Sequence, residues 1–154
     1  EQVLRSDCNR GVSGIEGSTS TAAGAACVGE EMTVLITGDM SFSYDVNGLS
    51  STYLSPRFKI IVMCNGGGGI FRFIKPTSDL PELETCFEIH RDISVEKYAD
   101  LFGLRYFELN DEKSAAEVLS LFFAEKDRPA ILAVHTPNVY NAEVLRGYFR
   151  RSRQ

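Results

Sequence analysis

The sequence predicts an α/β domain in which a mainly parallel, doubly wound sheet carries helices on both faces. Three observations support this prediction. Short apolar segments alternate along the chain with amphipathic ones, which is the pattern of strand–helix–strand units. Two predicted strands are followed by a residue with a side-chain oxygen and then a turn, at Asp39 and Asn65. The length of 154 residues fits one domain of ordinary size.

The composition is that of a globular domain. Hydrophobic residues make up 44% of the chain and charged residues 24%, which supports a packed core and argues against disorder. The net charge of −5 argues against nucleic-acid binding. The chain has no signal peptide and no apolar run long enough to span a membrane, so we expect a cytoplasmic protein. It begins with Glu1 and not with Met, which suggests an excised domain of a larger enzyme.

The first half of the chain is predicted to contain three strands and two helices. Residues 2–7 form a weak first strand, and the alanine-rich residues 18–28 suit a helix packed closely on a sheet. Residues 33–37 form the second strand, and a helix begins at Ser41 and runs to about residue 49. Residues 58–63 carry apolar side chains on both faces, which predicts a central strand.

The second half begins with an irregular segment, residues 66–90, which contains four consecutive glycines and two prolines. A loop of this length inside a compact domain is usually functional or mobile, and we expect it to be displaced without a partner surface. After it, Ser94 caps a helix that Gly103 ends. The remaining predicted elements are a strand over 104–109, a helix capped by Asp111, a strand over 130–135 and a helix over 141–150.

The cysteines and the C-terminal arginines are predicted to be structural. The cysteines are too far apart for a zinc site or a redox pair, so we expect free thiols packed as small core residues. They are Cys8, Cys27, Cys64 and Cys86. The arginines are expected to complement the dipole of the last helix and to continue into a frayed tail. They are Arg146, Arg150, Arg151 and Arg153.

Oxygen ligands are predicted to meet where two parallel strands end. Ligands bind beyond the carboxyl ends of such strands, and Mg²⁺ takes about six oxygen ligands, often including phosphate oxygens. Asp39 offers a carboxylate, Asn65 an amide oxygen and Gly67 a backbone carbonyl. Ser41 is placed to meet a phosphate at the positive end of its helix. The sequence therefore predicts a magnesium–diphosphate site.

Simpler interpretations exist for each segment taken alone. Asp39 could be a helix cap, and the glycine run could be a flexible loop. The two segments together favour the metal site. A dinucleotide site is disfavoured because no G-x-G-x-x-G follows the first strand. A non-catalytic phosphate-binding module with a flavodoxin-like sheet stays open as an alternative.

The segments GDM at 38–40 and CNGGGG at 64–69 resemble the motif of thiamine diphosphate enzymes. Met40 stands where that motif has its third glycine and Cys64 where it has its first asparagine. The flanks are similar to one subfamily, the 2-succinyl-5-enolpyruvyl-6-hydroxy-3-cyclohexene-1-carboxylate synthases of menaquinone biosynthesis. These flanks read NRGVSGIEGSTSTAAGAA at 9–26, GDMSFSYDVNGL at 38–49 and NGGGGIF at 65–71. The resemblance covers essentially the whole chain as a C-terminal, diphosphate-binding domain.

The resemblance implies a transferase that uses thiamine diphosphate and Mg²⁺ (or Mn²⁺). Such an enzyme decarboxylates 2-oxoglutarate and adds the succinyl carbanion equivalent to isochorismate. The active site would also need a pyrimidine-binding domain, from a second subunit of a homodimer or homotetramer, so residues 1–154 alone are expected to be inactive. Another thiamine diphosphate enzyme, such as a decarboxylase or acetolactate synthase, is the second possibility; Arg10 and the NGGGGIF segment argue against it.

The resemblance also implies which residues hold the cofactor and the metal. Asp39, Asn65 and the carbonyl of Gly67 would bind the metal. Ser41 would contact the diphosphate, and Ser13 and Gly14 would face the aminopyrimidine. The complete set implied to bind the cofactor is Ser13, Gly14, Ile15, Gly38, Asp39, Met40, Ser41, Asn65, Gly67 and Ile70.

The residues implied to act on the substrates are fewer. Arg10 would pair with a substrate carboxylate, because a guanidinium can bind a carboxylate through two hydrogen bonds. Ile15 would keep the cofactor bent, although its pattern alone predicts only a core residue. Arg10 and Ile15 are therefore the predicted catalytic residues. Ile70 and Phe71 would form an apolar wall near the second substrate, and Phe71 could equally anchor the long loop.

Several other polar residues receive no catalytic role. His90 and His135 titrate near neutrality but lie outside the motifs, so we expect them to be structural. Asp45 and Asn47 are interpreted as helix and packing residues. Glu16 stands where an aspartate is expected from the resemblance, and it is given no role.

Overall fold

A computed structural model describes residues 5–9, 14–88, 90–91 and 93–151. Its sheet has four strands in the order β1-β2-β4-β3, and every neighbouring pair is parallel. The strands are β1 (Thr33–Gly38), β2 (Phe58–Cys64), β3 (Arg105–Leu109) and β4 (Ala130–His135). The predicted α/β class and the central position of the strand at 58–63 are confirmed.

Helices cover both faces of the sheet. Among the described residues they are α1 (Ser18–Val28), α2 (Asp39–Tyr44), α3 (Gly69–Phe73), α4 (Val95–Phe102), α5 (Ala115–Ala124) and α6 (Asn138–Arg151). Shorter helical turns occupy Val46–Ser50, Thr77–Asp79, Leu83–Phe87 and Glu112–Ser114. The described helices include none long and apolar enough to cross a membrane.

The core lies on the two sides of the sheet. On one side, Ala23 of α1 and Ala99 of α4 belong to a cluster with Ile60 and Val62 of β2. On the other side, Phe122 of α5 clusters with Leu132 of β4 and other residues. Each large aliphatic side chain that is fully buried contributes about 1.5–3 kcal/mol. This packing fixes the strands in a register that brings their carboxyl ends to the same edge.

The predicted ends of α4 are confirmed. The hydroxyl of Ser94 accepts a hydrogen bond from the Lys97 N–H at 3.3 Å. Gly103 follows the helix with φ of 69°, a left-handed conformation that favours glycine. The carboxylate of Asp111 accepts from Lys113 N and Ser114 N, as expected of a cap, and the turn that it caps leads into α5.

Three predicted elements differ from the structure. Residues 5–7 of the predicted first strand have no strand neighbour, and residues 2–4 lie outside the described residues. The helix predicted to begin at Ser41 begins at Asp39 and gives way to a 3₁₀ turn after Tyr44. The last helix begins at Asn138, three residues earlier than predicted, because Pro137 is compatible with the position before a first helical turn.

The segment 66–90 is the largest departure from prediction. It is not a single irregular loop, because α3 and two short helical turns occupy much of it. Backbone hydrogen bonds join these pieces; Ile74 N donates to Ile70 O, and Glu88 N donates to Leu83 O. The segment is held by internal contacts that its glycine and proline content does not reveal.

The predicted burial of the cysteines is wrong for three of them. All four cysteines are free thiols, as expected. Cys8, Cys27 and Cys86 are exposed, and only Cys64 is partly buried. Cys27 lies on α1, whose small side chains are similar on every side, so the pattern gave no sign of which face is outward.

Candidate functional site

The two predicted ligand segments meet at the carboxyl edge of the sheet. Gly38 at the end of β1 is paired with Met63 of β2, so Asp39 emerges beside Asn65. The Asp39 carboxylate accepts hydrogen bonds from Asn65 N at 3.1 Å and Gly66 N at 2.8 Å. Its other oxygen accepts from Met40 N at 2.7 Å. Three backbone N–H groups therefore fix the orientation of one carboxylate.

Asp39 is a buried carboxylate. It is only 4% exposed, and within the described part of the chain it forms no ion pair with a cationic side chain. Burial, and after it the negative charges of Asp39 and Glu108, raise the pKa of the neighbouring Cys64 thiol to about 11. A buried carboxylate without a cationic partner is usually a metal ligand or strongly hydrogen-bonded. Asp39 is suited to be both.

The four glycines at 66–69, called the glycine segment below, present backbone groups beside this carboxylate. Gly66 and Gly67 have φ of 84° and 132°, conformations that side chains other than glycine rarely adopt. Gly67 N donates to the side-chain oxygen of Asn65 at 3.2 Å, and Gly67 O accepts from Gly69 N at 2.6 Å. Each of these two oxygens keeps a second lone pair for a further ligand.

Ser41 connects a second loop to the site. It is the third residue of α2, and its hydroxyl donates to the carbonyl of Ile15 at 2.7 Å. This bond brings the loop at residues 14–17 next to the start of α2. The Ile15 side chain is 44% exposed, so the interpretation of Ile15 as a core residue is wrong. Gly14 is exposed beside it, and Arg10 and Ser13 lie outside the described residues.

The predicted substrate wall lies on α3. Ile70 is 61% exposed and Phe71 is 36% exposed, so both side chains present apolar surface. The Phe71 ring also lies 5.5 Å from the ring of Phe87, between centroids. Phe71 therefore anchors the segment that follows the glycines and still offers a face to a ligand.

Each histidine is paired with a carboxylate. His90 Nε2 lies 3.7 Å from Glu88, and His135 Nε2 lies 3.0 Å from Glu108. The Glu108 that pairs with His135 also lies near Tyr106, whose pKa is raised by burial and then by the charge of Glu108. The interpretation of both histidines as structural stays a prediction.

A buried ionic network beside the glycines was not found from the sequence. Glu88 is fully buried, and its carboxylate accepts from Arg72 Nε at 2.7 Å and from Asn138 Nδ2 at 2.9 Å. Hydrogen bonds from Arg72 to Glu88 and then to Glu84 raise the pKa of the guanidinium. Arg72 and Glu88 are 16 positions apart on no common helix or strand, so periodicity could not have linked them. Charged residues in a glycine- and proline-rich segment were the only available signal.

A polar cleft lies between α2 and the start of α4. It has a volume of about 460 Å³. Arg91 connects the cleft to the glycine segment, because its backbone N–H donates to Gly66 O at 3.3 Å. The lining residues are Ser43, Arg91, Ile93, Ser94, Lys97 and Tyr98. Sequence reasoning assigned this cluster no role beyond the Ser94 cap.

The Arg146 side chain also departs from its predicted role. It donates to the backbone carbonyl of Arg72 and is half-buried, so it belongs to the packing of α6 on α3. Arg150 and Arg151 are exposed in the last turn of α6, where they complement the helix dipole as expected. Arg153 lies outside the described residues.

A comparison with protein families gives this geometry a context. Residues 4–134 match the thiamine pyrophosphate enzymes, in the part described as the C-terminal TPP binding domain. The chain belongs to this family. Thiamine pyrophosphate is the same compound as thiamine diphosphate, so the predicted resemblance to thiamine diphosphate enzymes is confirmed.

Individual members of the thiamine pyrophosphate enzymes are closely similar to the chain. It is 50% identical over 141 residues to the 2-succinyl-5-enolpyruvyl-6-hydroxy-3-cyclohexene-1-carboxylate synthase of Porphyromonas gingivalis. This covers 92% of the chain and 24% of that protein. The proteins of the same name from Flavobacterium johnsoniae and Christiangramia forsetii are 44% and 40% identical, over 93% and 97% of the chain and 26% of each relative. The chain thus spans about a quarter of the length of these relatives.

The residues at the strand ends fit a thiamine pyrophosphate enzyme that also binds a hard cation. The available donors are all oxygens: the buried Asp39 carboxylate, the Asn65 amide and the Gly67 carbonyl. Hard oxygen donors are the ligands that Mg²⁺ prefers. The described residues contain no cluster of three or more His, Cys, Asp or Glu side chains that could hold a metal on their own. A diphosphate would complete such a coordination shell.

Proposed function

We propose that this chain is the Mg²⁺- and thiamine diphosphate-binding domain of a transferase that joins 2-oxoglutarate to isochorismate. The observation that carries the proposal is the buried Asp39 carboxylate, oriented by three backbone N–H groups beside Asn65 and Gly67. Identities of 40–50% with three synthases of that name support the choice of reaction. The chain then corresponds to one domain, residues 1–154, of a larger enzyme.

Asp39, Asn65 and the Gly67 carbonyl would hold the metal (Mg²⁺ or Mn²⁺). The hydrogen bonds that Asp39 accepts keep its oxygens in place, so little reorganisation is needed when a cation binds. The left-handed glycines let a diphosphate approach the backbone closely. Gly38, Met40 and Ser41 would lie around the diphosphate, at the start of α2.

The bound cofactor supplies an electron sink for decarboxylation, and the protein binds, orients and shields the reactants. Arg10 would bind a carboxylate of an anionic substrate. Ile15 would support the cofactor from the loop that Ser41 fixes, with Ser13 and Gly14 beside it. Ile70 and Phe71, exposed on α3, would exclude water from the acceptor.

The complete active site would need a pyrimidine-binding domain, contributed by a second subunit of a homodimer or homotetramer. The exposure of Ile15, Ile70 and Phe71 supports this, because exposed apolar side chains near a site are typical of a surface that another domain buries. A cytoplasmic location is part of the proposal, since the free thiols suit a reducing compartment.

The proposal is tested with the full-length gene product. It is supplied with Mg²⁺, thiamine diphosphate, 2-oxoglutarate and isochorismate, and substrate loss and product formation are followed by mass spectrometry. Asp39→Ala is expected to reduce turnover at least about 100-fold, because it removes the charged metal ligand. Asp45→Ala is the matched control, since Asp45 lies just after the same helix and accepts from Ser20 N and Ser20 Oγ, both at 2.7 Å.

The outcomes separate the alternatives. Product in the wild type and in Asp45→Ala, but not in Asp39→Ala, supports both the reaction and the metal site. Release of CO₂ from 2-oxoglutarate without loss of isochorismate keeps the cofactor and rejects the acceptor, which would favour another thiamine diphosphate decarboxylase. No reaction by a folded wild-type protein would favour a non-catalytic phosphate-binding module.

A further inference from the structure

Glu88 is a buried residue whose carboxylate is bonded to side chains around the candidate site. We propose that Glu88 is a positioning residue that fixes the glycine segment, and through it the metal ligands Asn65 and Gly67. This inference rests on the proposed function for its consequence on metal binding. Its structural part, that Glu88 holds the segment at residues 65–73 in place, can be tested without any ligand.

Glu88 contacts the glycine segment through its own backbone. Its carbonyl accepts a hydrogen bond from Gly68 N at 2.8 Å, one residue after the proposed ligand Gly67. Its own N–H donates to Leu83 O at 2.9 Å, which ties this contact to the preceding helical turn. The position of Gly68 therefore depends on where the buried Glu88 side chain holds its backbone.

The Glu88 carboxylate also holds Asn138, a side chain that lies close to Asn65. It accepts from Asn138 Nδ2 at 2.9 Å, and Asn138 is itself only 8% exposed. The side-chain oxygen of Asn138 and the Nδ2 of Asn65 lie 2.4 Å and 2.7 Å from the point that a Cβ on Gly69 would occupy. Gly69 thus allows both amides to approach one spot, and Glu88 fixes one of them.

Through Arg72, the Glu88 carboxylate is also bonded to α3, the helix that carries the proposed substrate wall. The Arg72 guanidinium donates to both oxygens of Glu88, which fixes the side chain of the fourth residue of α3. Arg146 of α6 donates to the backbone carbonyl of Arg72 from the other side. The same short helix carries Ile70 and Phe71, so one carboxylate is connected to metal ligands and to substrate-facing residues.

The two acceptor oxygens of Glu88 are the feature that matters. An amide at this position has one acceptor oxygen in place of two, and its NH₂ would face donors of Arg72 or Asn138. A buried donor that loses its partner costs about 1–3 kcal/mol, more when it is charged. Arg72 would then have Glu84, whose side chain is 67% exposed, as its one carboxylate partner among the described contacts.

Glu84→Gln provides a matched control for Glu88→Gln. Both carboxylates pair with the same guanidinium, at 2.8 Å for Glu84 and 2.5 Å for Glu88. Among the described contacts, only Glu88 is buried and also bonded to Asn138 and Gly68. The two variants make the same chemical change and differ in their connection to the glycine segment.

The experiment uses the full-length gene product with two readouts. Hydrogen–deuterium exchange is measured on the peptide covering residues 65–73 without ligands, and Mn²⁺ affinity is measured by electron paramagnetic resonance in the presence of thiamine diphosphate. Glu88→Gln is expected to speed exchange in this peptide and to weaken Mn²⁺ binding about 10–100-fold, as for groups that orient metal ligands. Glu84→Gln is expected to stay within about twofold of the wild type on both readouts, because an exposed pair contributes little.

Unchanged exchange and Mn²⁺ affinity in a folded Glu88→Gln protein would overturn the inference, as would equal effects in Glu84→Gln. If Glu88→Gln does not fold, Arg72→Lys keeps the charge but loses the two-oxygen grip, and it should give a smaller change in the same direction. If Arg72→Lys matched the wild type in hydrogen exchange and in Mn²⁺ affinity, the inference would be overturned. If the wild type binds no Mn²⁺, the proposed function fails, and the exchange comparison alone decides whether Glu88 holds the segment.

Discussion

The two strand ends that form the candidate site are held by different means. At the end of β1, Asp39 is fixed by backbone N–H groups of its own helix and of the two residues that follow β2. At the end of β2, the segment after Asn65 depends on side chains that come from far along the chain, Arg72, Glu88 and Asn138. Parallel pairing is enough to build the first end, whereas the second also needs a buried ionic network.

This difference predicts how the two ends respond to substitution. The end of β1 is part of the sheet ladder, so a side-chain change at Asp39 should leave β1 in place, and it removes the acceptor of only two N–H groups beyond β2. The segment that follows β2 has four glycines, and residues 65–73 are not paired with any strand of the described sheet. Changes there should disturb the shape of the segment first and the function as a consequence.

The largest expected effect on that shape comes from Gly69→Ala. The new Cβ would lie 2.4 Å from Asn138 Oδ1 and 2.7 Å from Asn65 Nδ2, which is closer than real contacts allow. We expect a loss of about 1–3 kcal/mol, typical of overpacking, and faster hydrogen exchange over residues 65–73. Differential scanning calorimetry and hydrogen–deuterium exchange measure the two effects.

Gly147→Ala is the control for that change. Gly147 lies inside α6, and a Cβ there would meet nothing within 4 Å. Alanine is favoured over glycine in a helix by up to about 1 kcal/mol, so the control should be neutral or stabilising. If Gly69→Ala were as stable as Gly147→Ala and exchanged no faster over residues 65–73, the description of the two amides as closely packed around Gly69 would be wrong.

A smaller effect concerns the reactivity of Cys64, the last residue of β2. Its pKa is raised to about 11 by burial and then by the charges of Asp39 and Glu108. A raised thiol pKa lowers the thiolate fraction, and only the thiolate is nucleophilic. At pH 8 we expect iodoacetamide to label Cys64 about 100-fold more slowly in the native protein than in the denatured one.

Cys27 serves as the internal comparison in the same mass-spectrometric experiment. It is exposed on α1, and its native and denatured rates should differ much less. Equal protection of the two cysteines would mean that the Cys64 thiol is neither buried nor raised in pKa as described.

The parts of the site that could be predicted are those that local rules determine. Apolar segments of strand length gave β1, β2 and β4, and parallel strand ends gave the meeting of Asp39 and Asn65. Some boundaries could not be predicted, because distant contacts set them. The helix after Asp39 stops at Tyr44, and Asp45 binds Ser20, which is 25 residues away.

The Glu88 network could not be predicted for a related reason. Arg72, Glu88 and Asn138 come from three elements, and only the folded chain brings them together. The glycines and prolines around them predicted an irregular loop, whereas buried charge pairs organise it. The exposure of Cys27 was missed because apolar neighbours in sequence do not reveal which way a side chain points in an alanine-rich helix.

The most direct test of the candidate site is a calorimetric titration of thiamine diphosphate into the full-length gene product, with and without Mg²⁺. The wild type and the Asp45→Asn control are predicted to bind the cofactor in a Mg²⁺-dependent manner. Asp39→Asn, which keeps the size of the side chain and removes its charge, is predicted to lose at least about 100-fold in that affinity. Mg²⁺-dependent binding of equal strength in Asp39→Asn would contradict the assignment of Asp39 as the charged metal ligand.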